Sequence, residues 1–68
     1  MKIKITLLRT NEKKEINLEN NSKVENLLKK LNLKPDTIII LHKNKPIPID
    51  DLLKDGQELT IMQVSSGG

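Results

Sequence analysis

Apolar and polar residues alternate near both ends of this chain, with a different period between them. Ile3, Ile5 and Leu7 alternate with Lys2, Lys4 and Thr6, the period of two expected of a strand with one buried face. Arg9-Thr10-Asn11-Glu12 is polar and turns the chain. Residues 13–18 then alternate again, with Ile16 and Leu18 on one face. Two such runs joined by a short polar loop predict an antiparallel hairpin. After Asn20-Asn21-Ser22 the period changes to that of a helix. Val24, Leu27, Leu28 and Leu31 fall at i, i+3, i+4 and i+7, one amphipathic stripe. Ser22 with Glu25 three residues on reads as a capping box. Lys29 and Lys30 suit the helix dipole near its end, and Pro35 closes the segment. The pattern predicts a helix over residues 23–32.

Residues 37–42 are β-branched and apolar, a buried strand, followed by a turn at Asn44-Lys45. Pro46-Ile47-Pro48 can form only an edge strand, because each proline removes a ladder donor. Asp50-Asp51-Leu52-Leu53 reads as a single capped helical turn and Asp55-Gly56 as a tight turn. Leu59 and Ile61 then alternate with Thr60 and Met62 in a last strand ending near Val64. One helix can cover only one face of a sheet, so the order predicts a two-layer α+β domain. Its first and last strands are expected side by side at the centre.

Composition narrows the picture. At 68 residues the chain makes one domain, and with no cysteine its core must come from Leu, Ile, Val and Met. No apolar run approaches the roughly 18 residues of a membrane span, and the N-terminal residues lack the apolar core of a signal peptide. A soluble, cytoplasmic protein, monomeric when free, is the expectation. The net charge of +3 is spread over interleaved Lys and Glu, so no charged tail forms. Without Phe, Tyr or Trp there is no stacking platform for single strands, and nucleic acid is not an expected partner.

The sharpest motif is Ser65-Ser66-Gly67-Gly68. Only three glycines occur, and two of them are the last two residues; at ordinary Gly usage that arises in roughly 0.5% of chains. A frayed polar end is the plain explanation. The chemical one is that residues without Cβ pass through a slot too narrow for side chains, delivering the Gly68 carboxylate to another protein's active site. The expected organisation is a folded domain over residues 1–64 and a flexible tail over residues 65–68.

With this order in place the chain resembles the ubiquitin-like β-grasp superfamily, in particular ThiS/MoaD-type sulfur carriers and small archaeal modifier proteins. The first strand, the helix stripe, the segment Ile38-Ile39-Ile40-Leu41-His42-Lys43-Asn44-Lys45-Pro46-Ile47-Pro48 and Leu53-Lys54-Asp55-Gly56-Gln57-Glu58-Leu59 carry the resemblance. Gln57 stands where these families usually have an acidic residue. The resemblance implies a mixed sheet of four to five strands with one helix on one face. It also implies a carrier rather than an enzyme, with no bound cofactor. An adenylating enzyme of the ubiquitin-activating type would consume ATP to activate the carboxylate of Gly68. A sulfur donor would convert it to a thiocarboxylate, for thiamine, molybdopterin or tRNA pathways, or an acceptor lysine would take it as an isopeptide. Gly67, Ser66 and Ser65 would thread the tail. The resemblance does not choose between carrier and modifier.

Other groups carry less. His42 is the only histidine and reads as a solvated strand end. Asp50, Asp51 and Asp55 lack the spacing of a calcium loop and suit caps and turns. Ser65 and Ser66 have no base beside them. More informative is the sheet face turned away from the helix. If Ile38, Ile40, Leu59 and Ile61 point inward, then Leu8, Ile39, Leu41 and Met62 point outward. Such an apolar patch marks a partner surface, and a one-residue slip would invert it. The competing reading is a plain interaction module that uses this face and never its tail.

Overall fold

The computed structural model describes residues 1–64. Its elements are β1 (Lys2–Leu7), β2 (Glu12–Asn17), α1 (Val24–Lys30), a 3-10 turn (Pro35–Thr37), β3 (Ile38–His42), β4 (Lys45–Ile47) and β5 (Glu58–Gln63). The expected tail at residues 65–68 lies outside the described residues. The five strands form one mixed sheet in the order β2-β1-β5-β3-β4. β1 and β5 run parallel and adjacent, as the sequence led us to expect, with Ile5 opposite Leu59 and Leu7 opposite Ile61. β4, which contains Pro46, is an edge.

The register puts one apolar set under the helix. Ile3, Ile5, Ile38, Ile40, Leu59 and Ile61 are buried against Val24, Leu27 and Leu28, with Leu53 closing the core. Leu7, Ile16, Leu18, Leu31, Leu33 and Ile47 pack partly buried around this cluster. Each fully buried aliphatic side chain contributes roughly 1.5–3 kcal/mol, and no aromatic ring is needed to fill the space.

The ends of the helix depart from the sequence reading in instructive ways. The capping box expected from Ser22 and Glu25 does not form. The Ser22 hydroxyl donates backward to the Glu19 carbonyl at 2.7 Å, and Asn26 Oδ1 accepts from the Lys23 amide at 2.8 Å. The first helical amides are satisfied from elsewhere in the chain: Val24 N–H donates to the Asp51 carbonyl at 3.0 Å and Glu25 N–H to the Ile49 carbonyl at 2.8 Å. In return Leu53 N–H donates to the Ser22 carbonyl at 2.9 Å. This corrects a second expectation, the helical turn at residues 50–53. Residues 48–51 instead make a turn closed by the Asp51 amide on the Pro48 carbonyl at 3.2 Å, and Leu52 then bridges to Lys23, because the Asp51 carbonyl serves the helix and Leu53 must reach the core. At the other end Leu33 N–H donates to the Leu28 carbonyl at 2.9 Å and Asn32 N–H to that of Lys29 at 3.2 Å. With Asn32 at φ 59° this is a Schellman stop, which ends the helix before Pro35 can.

The β3–β4 turn falls one residue earlier than expected. His42 pairs with Lys45, leaving Lys43 and Asn44 as a two-residue loop with φ of 54° and 65°. Two left-handed residues in a two-residue hairpin make a type I′ turn, for which Asn-Gly is the preferred pair. Lys43 bears a Cβ in a region that disfavours it. Replacing the loop by Asn-Gly (K43N/N44G) should stabilise the domain by about 1 kcal/mol, read as a higher urea midpoint at unchanged m-value.

Candidate docking surface beside the end of the last strand

Alternation along β5 decides what each sheet face carries. Leu59 and Ile61 are each only 2% exposed, so Thr60 and Met62 point away from the helix. On β3, Ile39 lies opposite Met62 and Leu41 opposite Thr60. The outward apolar set is therefore arranged as the sequence predicted, not inverted by a register slip. Ile39, Leu41 and Met62 are half-buried on the outer face. Leu8 follows the end of β1 at 49% exposure, its amide donating to the Ile61 carbonyl at 3.1 Å. One residue was not anticipated: Pro46 stands opposite Leu41 and extends the apolar area to the sheet edge. The proline marked β4 as an edge strand, but only the register with β3 shows which face it joins.

The last strand is held from both sides. Thr60 and Ile61 pair with β1 on one flank and β3 on the other. Beyond β5, Val64 N–H still donates to the Thr37 carbonyl at 3.0 Å. Arg9 Nη1 donates to Gln63 Oε1 at 2.8 Å, tying the β1–β2 loop to the same end of the sheet. The beginning of β5 is fixed by the Asp-Gly turn. Asp55 Oδ1 accepts from the Lys2 amide at 2.7 Å, and Gly56 N–H donates to the Lys2 carbonyl at 2.8 Å. Gly56 sits at φ 80°, a conformation that side chains disfavour. Gln57 Oε1 accepts from the Lys54 amide at 2.9 Å, a bond that a carboxylate could equally accept. Gln57 thus preserves the turn despite departing from the usual acid.

The remaining candidates hold structural places. His42 is the last residue of β3 and half-buried. Asp50 and Asp51 are exposed, and Asp51 serves the helix through its carbonyl rather than its carboxylate. Among the described residues no group of three His, Asp or Glu is placed to hold a metal. No described helix is long and apolar enough to cross a membrane. Ser65, Ser66, Gly67 and Gly68 lie outside the described residues.

A sequence model of small archaeal modifier protein 2 matches residues 1–65. The chain belongs to that family. A relative in Archaeoglobus fulgidus, an uncharacterized protein, is 33% identical over 69 aligned positions covering both chains completely. The sulfur carrier protein TtuB of Thermus thermophilus is 26% identical over 62 positions, 91% of this chain and 95% of TtuB. The fold is that of ubiquitin: the ubiquitin of Caldiarchaeum subterraneum superposes with a TM-score of 0.79 at 23% identity, covering 100% of this chain and 98% of that one. This member of the small archaeal modifier protein 2 family is thus a ubiquitin-like β-grasp domain.

The face assignment makes a direct prediction. Ile61→Glu buries a carboxylate in the core and should unfold the domain, whereas Met62→Glu should leave it folded. Far-ultraviolet circular dichroism of the two variants checks it. An unfolded M62E beside a folded I61E would invert the faces.

Proposed function

We propose that this protein is a carrier whose working group is the α-carboxylate of Gly68, activated by a partner enzyme rather than by any residue of its own. The observation that carries the reading is the family match over residues 1–65 followed in the sequence by Gly67-Gly68. The match itself stops short of the diglycine, so the role of Gly68 rests on its chemistry.

A carboxylate is a poor electrophile until one of its oxygens becomes part of a good leaving group. Attack of the carboxylate oxygen on the α-phosphorus of ATP, in the partner's site, would release pyrophosphate and leave an acyl-adenylate. A sulfur donor attacking the acyl carbon would expel AMP and give the thiocarboxylate. A partner thiol followed by a lysine amine would instead give an isopeptide bond. The name of TtuB favours the sulfur branch for its relative here, and the family's name favours the modifier branch. Both branches share the adenylate. The protein supplies no catalytic residue and holds no cofactor; ATP is consumed by the activating enzyme. Such chemistry belongs in the cytoplasm.

A tail of Ser65, Ser66, Gly67 and Gly68 offers few groups to recognise, and ordering it costs entropy at each residue. The body must supply the affinity. The outer-face set of Leu8, Ile39, Leu41 and Met62 is the surface we assign to that contact, leaving the Ser and Gly residues to thread the partner's slot. M62E should then weaken binding to the activating enzyme by about 2–4 kcal/mol while the fold stays intact.

The decisive experiment is intact-mass analysis of protein recovered from source cells and of protein incubated with ATP, the source cell's activating enzymes and a sulfur donor. Replacement of one oxygen by sulfur adds about 16 Da to the acyl group, and the same spectra show whether Gly68 bears a free carboxylate. No mass change with any activating enzyme of the source cell, and no covalent conjugates, would overturn the proposal. Deleting Gly67 and Gly68 separates it from the tail-independent interaction module. The carrier loses all function while remaining folded, and the module keeps it.

A further inference from the structure

The outer sheet face is not uniform. Beside the apolar set, it sinks into an open trough of about 710 Å³ that runs from β2 across β1 and β5 to the β3–β4 turn. Its floor carries two hydroxyls, since Thr6 of β1 lies directly opposite Thr60 of β5. One wall holds Lys13, the neighbour of Thr6 on β2. The other wall is the β3–β4 turn with Lys43. Four lysines and two glutamates line the trough in all. Lys4 stands between Glu15 on β2 and Glu58 on β5, a row of alternating sign across three strands. Lys13 has the Thr6 hydroxyl rather than an acid as its cross-strand neighbour, and Lys43 stands exposed on the opposite wall.

We propose that this trough binds an acidic segment of a protein partner, one carboxylate side chain reaching the threonine hydroxyls between Lys13 and Lys43. The proposal rests on the reading of the outer face as the surface a partner covers. It adds the chemistry of that partner's second contact, next to the apolar set, whose Leu41 stands opposite Thr60. Ammonium groups at an exposed wall steer association and set orientation more than they add affinity. The apolar set would then hold the partner, and the trough would fix which way round it sits.

An extended nucleic acid fits the trough less well. Glu15 and Glu58 would repel a continuous run of phosphates, and the chain has no aromatic ring on which to stack a base. Separate carboxylates on a folded partner avoid the glutamate row.

The test uses the full chain and a capped hexaglutamate peptide as the probe, followed by proton–nitrogen correlation spectra at low and moderate salt. Saturable shifts are expected at the amides of Thr6, Lys13, Lys43 and Thr60. Both wall lysines are exposed, so K13E/K43E should stay folded and bind the probe about tenfold more weakly. K13R/K43R should retain binding, and K13Q/K43Q should fall between. The probe is read without any activating enzyme, which keeps a failure here distinct from a failure of the docking assignment above. Shifts spread over the helix lysines Lys29 and Lys30, the absence of saturation, or unchanged binding by K13E/K43E would each overturn the proposal. Tighter binding of an oligouridylate at the same amides would overturn it in favour of RNA.

Discussion

The parallel pairing of β1 with β5 is the constraint on which the rest of the molecule depends. It joins segments more than fifty residues apart, with Lys4 opposite Glu58 and Leu7 opposite Ile61. Everything between them must fit into a connection that leaves one sheet edge and returns to the centre. The pairing is closed at its start by the Asp55-Gly56 turn, whose side chain and backbone both bond to Lys2. A contact of such long sequence separation forms only after much of the loop entropy has been lost. The helix and the hairpins supply the local order that shortens that search. The helix is in turn held by the returning chain, since the Ile49 and Asp51 carbonyls occupy its first amides.

The same pairing sets how the end of the chain is presented. β5 lies between β1 and β3 and cannot swing relative to the sheet without breaking both ladders. Its last described tie is the Val64 amide on the Thr37 carbonyl. Gly68 lies four residues beyond Val64, which covalent geometry limits to a reach of about 14 Å. A partner that accepts Gly68 under our proposal must therefore come close to Val64, and on the outer face Met62 with its partner Ile39 lies two residues back along β5.

Most of the fold was legible because it is written in period. Alternation at Ile3, Ile5 and Leu7 and at Leu59 and Ile61 located the central strands, and the stripe from Val24 to Leu31 located the helix. The outward positions followed from the same parity, so the placement of Ile39 and Met62 was legible too. What was not legible depends on distant backbone. Ser22 and Glu25 spell a capping box locally, yet the Glu25 amide is taken by the distant Ile49 carbonyl and the Ser22 amide by that of Glu19. Asp50-Asp51 spells a helix start, yet those residues close a turn that brings the Asp51 carbonyl to the helix. Lys43 gives no sign of a left-handed conformation, which the pairing of His42 with Lys45 imposes. The trough was hidden for a related reason: Thr6, Lys13 and Thr60 are unremarkable separately and become neighbours only through two registers.

The division of the outer face has a physical logic of its own. Adjacent parallel strands are usually covered on both sides, and here β1 and β5 are covered by the helix on only one. In the free protein their outer side must meet water, and it does so with the Lys4–Glu58 and Thr6–Thr60 pairs. Apolar side chains are tolerated where β3 replaces β1 as the neighbour of β5, around Ile39 and Met62. That end is also where the chain leaves the sheet. A partner gripping it would bury apolar area within reach of the tail. The polar remainder keeps the uncovered sheet in solution and gives a partner something to orient against. Splitting the face this way lets a domain with no aromatic residue, and with its buried core committed to the helix side, still present a surface distinct enough to be recognised.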